Sequence, residues 1–253
     1  MLFREMRRIV AFSILVGLLV STSFAQSEEV MTISADRPGM ATGTTVVEHH
    51  VWQWESGLQS DYAYGWNSHL LPTTMLRWGM IPNAELRIQY DGTLSQAGRW
   101  SYQAGPITVG SKMALLQESA ALPAISLLLN AAIPLTDGEE VAPSAYLLVD
   151  KDVASWLNVG VNVGAEWGTF FGEAPATFLA LCLSFGITDS WGAFVESYNY
   201  LFPSANLTGE YYADFGVNYL LTPRIQLDLY SSFNLQNPKS SANIGLGIAW
   251  LIP

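Results

Sequence analysis

The chain has 253 residues, half of them hydrophobic and only 13% charged, with 22 acidic against 11 basic side chains and a net charge of −11. That balance disfavours nucleic acid and anionic lipid surfaces as partners, and the single cysteine, Cys182, excludes an intrachain disulfide or a thiolate metal site. So little charge is unusual in a soluble protein, yet past the first 25 residues no run of 18 apolar residues offers a spanning helix. Apolar residues dispersed at every second position resolve the conflict, because one face of a strand can then meet lipid.

Residues 1–25 read as a cleaved signal peptide. Arg4, Arg7 and Arg8 form a basic start, Ile9–Val20 is an apolar run too short to span as a helix, and Ser23-Phe24-Ala25 supplies small residues for cleavage. Their removal takes away three arginines and one glutamate, leaving 8 basic against 21 acidic residues and a charge of −13. Residues 26–46 are polar and turn-rich and are expected to be a periplasmic lead-in; whether they block a lumen is left open. No linker-like stretch divides the remainder, so 47–253 is expected to be one domain.

Twelve strands are predicted, at 47–60, 70–80, 84–93, 106–115, 123–134, 143–150, 157–167, 176–187, 191–200, 211–220, 224–234 and around 244–250. The clearest is LNVGVNVGAEW at 157–167. Leu157, Val159, Val161, Val163, Ala165 and Trp167 alternate with Asn158, Gly160, Asn162, Gly164 and Glu166, which fits period two and no helical period. Its glycines are expected to keep a lumenal wall open. At ~3.3 Å per residue and a tilt near 45°, such a strand crosses about 25 Å, the height of the apolar band on an outer-membrane barrel.

The connections alternate as well. Those at 81–83, 151–155, 188–190 and 221–223 are tight, 116–122 is somewhat longer, and the polar or aromatic stretches at 61–69, 94–105, 135–142, 168–175, 201–210 and 235–241 are the longer set. An all-β, transmembrane, up-and-down antiparallel barrel with both termini in the periplasm has this rhythm, with short turns inside and longer loops outside; a soluble sandwich has no reason for it. Trp78, Trp191 and Trp250 at one end of their strands, and Tyr90 and Trp167 at the other, are expected to form interfacial girdles. Trp156 falls off this parity.

The same parity points ten charged residues inward: Glu55, Arg77, Glu85, Arg87, Asp91, Lys112, Glu166, Glu196, Asp214 and Asp228. They are the lumen and constriction candidates. Across the turn at Pro82, position 77 should pair with 87 and 79 with 85, so Arg77 and Arg87 face one another and need Glu85 and Glu55 as partners. This set reads either as a charged ladder that screens permeants or as a salt-bridge network filling a narrow barrel. His49 and His50, adjacent in a strand, should point to opposite faces and share no metal. All three histidines lie before residue 70, away from most serines, and there is no G-x-S-x-G motif. No catalytic residue, metal or cofactor is therefore assigned, and the chain is expected not to be an enzyme.

ADRPG at 35–39, VEHHVWQWESGLQ at 47–59, LRWGMIPNAELRI at 76–88, GPITVGSKMALL at 105–116, GAFVESY at 192–198, and YLLTPRIQLDL at 219–229 followed by NIGLGIAW resemble the MetA-pathway of phenol degradation family, barrel proteins often labelled transporters. The resemblance covers nearly the whole chain beyond residue 25. It implies an outer-membrane β-barrel that passes small, aromatic or hydrophobic compounds. One departure is the end of the last strand, where Trp250 is followed by Leu-Ile-Pro rather than ending on an aromatic residue; Trp250 would serve in its place for the assembly machinery.

The expected protein is thus a monomeric passive channel in the bacterial outer membrane, in contact with lipid and with the outer-membrane assembly machinery, its small-molecule permeant unnamed. A non-conducting structural or adhesive barrel is the alternative, and a barrel-embedded hydrolase a third.

Overall fold

A computed structural model describes residues 31–63, 66–97, 99–136, 138–168, 174–202, 208–237 and 241–253. Residues 1–30, and with them the expected signal peptide, lie outside the described residues, as does the side chain of His69.

Alternation dictates the architecture. Twelve strands follow one another: β1 (Trp52–Ala63), β2 (Trp66–Ile81), β3 (Ala84–Ala97), β4 (Arg99–Leu116), β5 (Ala124–Ile133), β6 (Ala142–Ala154), β7 (Leu157–Glu166), β8 (Ala176–Gly186), β9 (Trp191–Phe202), β10 (Thr208–Thr222), β11 (Ile225–Asn234) and β12 (Ala242–Ile252). Each pairs with its neighbours in sequence, and β1 closes on β12, so the sheet is a barrel without an edge. Outward residues such as Leu58, Ile88, Leu181, Phe215, Leu229 and Leu246 are exposed, an apolar exterior that only lipid satisfies. Inward positions carry the buried polar and charged residues. This is an inside-out distribution relative to a soluble protein.

The strands outrun the hydropathy pattern at one end. The stretches 61–69 and 94–105, expected as loops, belong mostly to β1 through β4. Strands that rise beyond the apolar band meet water on both faces, so alternation fades while pairing continues. Ser95 Oγ lies 3.0 Å from Ser101 Oγ, and the Tyr90 and Tyr102 hydroxyls hydrogen-bond between neighbouring strands.

A second correction concerns the start of β1. His49 and His50 are not in a strand: β1 begins at Trp52, His50 takes a φ of 67°, and the two rings stack at 3.6 Å. The turn is held by His50 N donating to Gly79 O and Val51 N to Glu48 O. Gly79 is obligatory there, because a Cβ would overlap the carbonyls of Val47 and Glu48.

The third finding is the largest. Of residues 26–46, expected as a periplasmic lead-in with their place relative to the lumen left open, the described part 31–46 runs inside the barrel, and Val47, expected in the first strand, continues it. This strap begins at the short-turn end, where Ile33 N donates to Pro223 O at 2.8 Å. Ile33, Val47, Val51, Ala249 and Leu251 form a small buried apolar cluster that seats both of its ends. Between them the strap passes the inner faces of β1, β11, β9, β7, β6, β5 and β4 before returning to β2 and β3, as its hydrogen bonds record.

Candidate functional site

The lumen is organised by what a polar strap needs when it is removed from water: every main-chain donor and acceptor must find a partner. The wall formed by β2–β4 supplies cations. Arg77, fully buried, donates from Nε and Nη2 to Glu85 at 2.8 and 2.9 Å and from Nη1 to Glu55 at 2.9 Å. It also donates to the carbonyls of Ser34 (3.0 Å) and Thr45 (3.1 Å). Lys112 Nζ donates to Asp36 Oδ1 at 2.8 Å and to the carbonyls of Gly43 and Thr45, each at 2.9 Å. Arg87 Nη1 lies 3.0 Å from Asp36 Oδ2. One strap carboxylate, Asp36, is therefore the meeting point of three barrel cations. Burial opposes its ionisation, but Arg77, Lys112 and Arg87 overcome that penalty and hold its carboxyl down at about 2.

The opposite wall supplies carboxylates and amides that read the strap's backbone. Glu196 accepts from Ala41 N at 2.9 Å and from Met40 N at 3.2 Å. Asn162 forms a two-way amide pair with Thr42, accepting from its N at 2.7 Å and donating to its O at 3.0 Å. Thr44 N donates to Asp150 at 2.6 Å, and Ser126 Oγ donates to Thr44 O at 2.7 Å. Between the walls Arg37 reaches Asp228, with Nε and Nη2 at 3.3 and 3.2 Å from its two oxygens. Gly57 and Gly247 face each other across β1 and β12, and a Cβ on either would overlap the Arg37 guanidinium. The glycine pair is a notch for that side chain.

The ten lumen candidates point inward. Glu55, Arg77, Glu85, Arg87 and Lys112 converge on the Asp36 cluster; Glu196 and Asp228 hold other parts of the strap; Asp214 stands directly across from Glu196 in the register; Glu166 and Asp91 lie apart from these groups, accepting from Tyr146 (2.6 Å) and Gln89 (2.7 Å). The register places Arg77 opposite Arg87 and Gly79 opposite Glu85. Asp36, Arg37, Asn162 and Asp150 carry as much of the site and were not among the candidates. Their signal was indirect: the β2–β4 wall holds three inward cations against two carboxylates, which demands an acid from elsewhere. The glycines of β7 do not hold the wall open. The Tyr146 ring occupies the space over Gly164, and the Asp150 carboxylate that over Gly160.

Of the expected girdle residues, Trp191 and Trp167 are exposed. Trp78 stacks on Trp52 at 5.4 Å, and Trp191 packs at 4.7 Å from Tyr219, all at the short-turn ends of their strands. Trp250 pairs with Trp54 in the β1–β12 register at the same end. Trp156, the exception to parity, lies in the β6–β7 turn and stacks on Phe185 at 6.3 Å.

The strap divides the lumen into two chambers, with Asp36, Arg37, Pro38, Gly39 and Thr42 bordering both. The chamber toward the longer connections has a volume of about 570 Å³ and is lined by Tyr146, Phe178, Tyr198, Tyr200, Tyr212 and Asp214 among others. The chamber toward the short turns has about 500 Å³ and is lined by Asp152, Trp156, Asp189 and Trp191 among others.

A closed twelve-stranded barrel with an apolar exterior, a charged lumen and an internal strap belongs to the outer-membrane class of β-barrels. Residues 35–252 match the model of the family described as "Putative MetA-pathway of phenol degradation", and the chain belongs to that family. Among solved structures it is similar to an outer membrane channel from Pseudomonas putida F1, at 12% identity over 85% of this chain and 99% of that one, with a TM-score of 0.61. It is also similar to the KdgM porin in complex with disordered oligogalacturonate (8% identity, 78% and 98% covered, TM-score 0.59) and to the NanC porin (10%, 77% and 98%, 0.58). At these identities the likeness is one of fold. No curated protein matches the chain.

Proposed function

We propose that this protein is an outer-membrane channel for small molecules whose conduction is limited by its own N-terminal strap. The observation that carries the reading is the pair of chambers, about 570 and 500 Å³, inside one closed barrel and sharing a border of strap residues. Each is of the size that holds a small organic solute. The family and the porin-like fold support a transport role, and the lumen chemistry supports one level as the constriction. It is the level of Asp36, Arg77, Arg87 and Lys112 on one side and of Glu196 and Asn162 on the other. A permeant crosses when the strap shifts against these walls. In this reading the role is passive.

The strap's polar anchoring favours one other reading, a barrel that does not conduct at all and acts through its outer rim. Solute-swelling of proteoliposomes, together with planar-bilayer conductance, separates the two. The intact barrel should pass little, and an Asp36→Ala barrel, whose strap has lost its contact with the three barrel cations, should pass clearly more. Absence of uptake and conductance from both proteins, each showing heat-modifiable gel migration, would sink the channel reading.

A further inference from the structure

The strap accounts for most of the lumenal charge but leaves the outer chamber unexplained. Five aromatic rings gather on its β6–β10 side. Tyr198 stacks on Tyr212 at 5.0 Å and stands edge-on to Tyr200 at 6.4 Å; Phe178 lies 5.2 Å from Tyr200 and 5.7 Å from Tyr146. Two of the hydroxyls are engaged with acids: that of Tyr146 donates to Glu166 at 2.6 Å and that of Tyr212 to Glu210 at 2.8 Å. At the chamber's floor Asp214, 1% exposed, contributes an Oδ1 that has no hydrogen-bond partner. Its register partner is another carboxylate, Glu196.

Among the described residues no ion pair involves Glu166, Glu196, Glu210 or Asp214. The two arginines that border the chamber are engaged elsewhere, Arg87 with Asp36 and Arg37 with Asp228. Neither arginine pairs with these four acids, and around them stand the negative faces of several rings, which attract a cation. A buried acceptor without a partner costs free energy until a donor arrives.

We propose that the outer chamber is a binding site for a small organic ammonium. The ammonium donates to Asp214 Oδ1, and the ligand's apolar body lies against Phe178, Tyr198 and Tyr200. As the identity of a permeant this rests on the channel reading; as a binding site it does not.

The test is calorimetric titration of the purified, detergent-folded barrel with three probes of one shape: 2-phenylethylammonium, 2-phenylethanol and phenylacetate. The ammonium should bind tightest and phenylacetate weakest. Asp214→Asn should weaken the ammonium about tenfold, the worth of a charge-assisted hydrogen bond, and leave the alcohol unchanged. Tyr198→Leu should weaken both. Equal or tighter binding of the alcohol or of phenylacetate to the unmodified barrel, which requires no variant to fold, overturns the proposal. So does an unchanged ammonium affinity in an Asp214→Asn barrel of normal heat-modifiable migration. Ammonium binding without liposome flux would establish the site and reject the channel; flux of neutral solutes without ammonium binding would do the reverse.

Discussion

The two walls of the lumen hold the same strap by different means. On β2–β4, Arg77, Arg87 and Lys112 converge on a strap side chain, the Asp36 carboxylate. On β5–β9, Glu196, Asn162 and Ser126 hydrogen-bond the strap's main chain at residues 40, 41, 42 and 44, and Asp150 reaches both the main chain and the side chain of Thr44. Besides its bonds to strap carbonyls, the first wall therefore depends on the identity of one strap residue, whereas the second depends mainly on an N–H and a C=O being in place. A strap built this way has an ionic latch at Asp36, a second ion pair from Arg37 to Asp228 between the walls, and a rail that reads mostly backbone.

The sharpest way to break that contrast is at the latch. Asp36→Ala leaves three buried cations facing only Glu55 and Glu85, and removing one partner from a buried charge cluster costs about 3–5 kcal/mol. The thermal midpoint of the heat-modifiable transition should fall accordingly, and conductance should rise. Acid should reproduce part of this loss. In the unfolded chain Asp36 titrates near its ordinary 3.8, whereas docked it is held at about 2. Between those values only the unfolded chain takes up the proton, so the stability due to Asp36 is fully present above about pH 4 and is lost as pH falls through about 2. Other carboxylates titrate in the same range, so the measurement is a difference: an Asp36→Asn barrel should show a shallower decline of the midpoint between pH 4 and 2 than the unmodified one.

How much of this was legible in the sequence follows from what has a period. Strands such as Leu157–Glu166 announce themselves because lipid on one side and polar lumen on the other impose alternation at every residue. That same parity turned Arg77, Lys112, Glu196 and Asp214 inward without any knowledge of their partners. The strap has no period. Its residues Pro38, Gly39, Ala41 and Gly43 are small or turn-forming, which suits a chain threaded through a crowded lumen and equally suits an exposed lead-in. Its place is set by long-range pairs, Asp36 with Lys112 and Arg37 with Asp228, that no local pattern reveals. The same holds for the tops of β1–β4, where pairing alone maintains the strand after the apolar face has ended.

On the rail the expected effects are smaller and depend on backbone rather than side chain. Glu196→Gln keeps the shape and one acceptor but loses the charge that strengthens the bonds from Met40 and Ala41, for about 1–2 kcal/mol in the same midpoint. A loss as large as that at Asp36 would show that both walls act as latches.

Thr42 gives the finest test, because its described hydrogen bonds, to and from Asn162, are both made by its main chain. Thr42→Pro removes the N–H and leaves the Asn162 oxygen unpaired on a residue only 2% exposed, a cost of about 1–3 kcal/mol. Thr42→Ala keeps both bonds and should stay within about 0.5 kcal/mol of the unmodified barrel. The ratio between the two substitutions, read from midpoints in one detergent and at one pH, is independent of how the rest of the strap is anchored. If Thr42→Ala cost as much as Thr42→Pro, the hydroxyl or methyl would be what the barrel recognises, and the rail would be as sequence-specific as the latch.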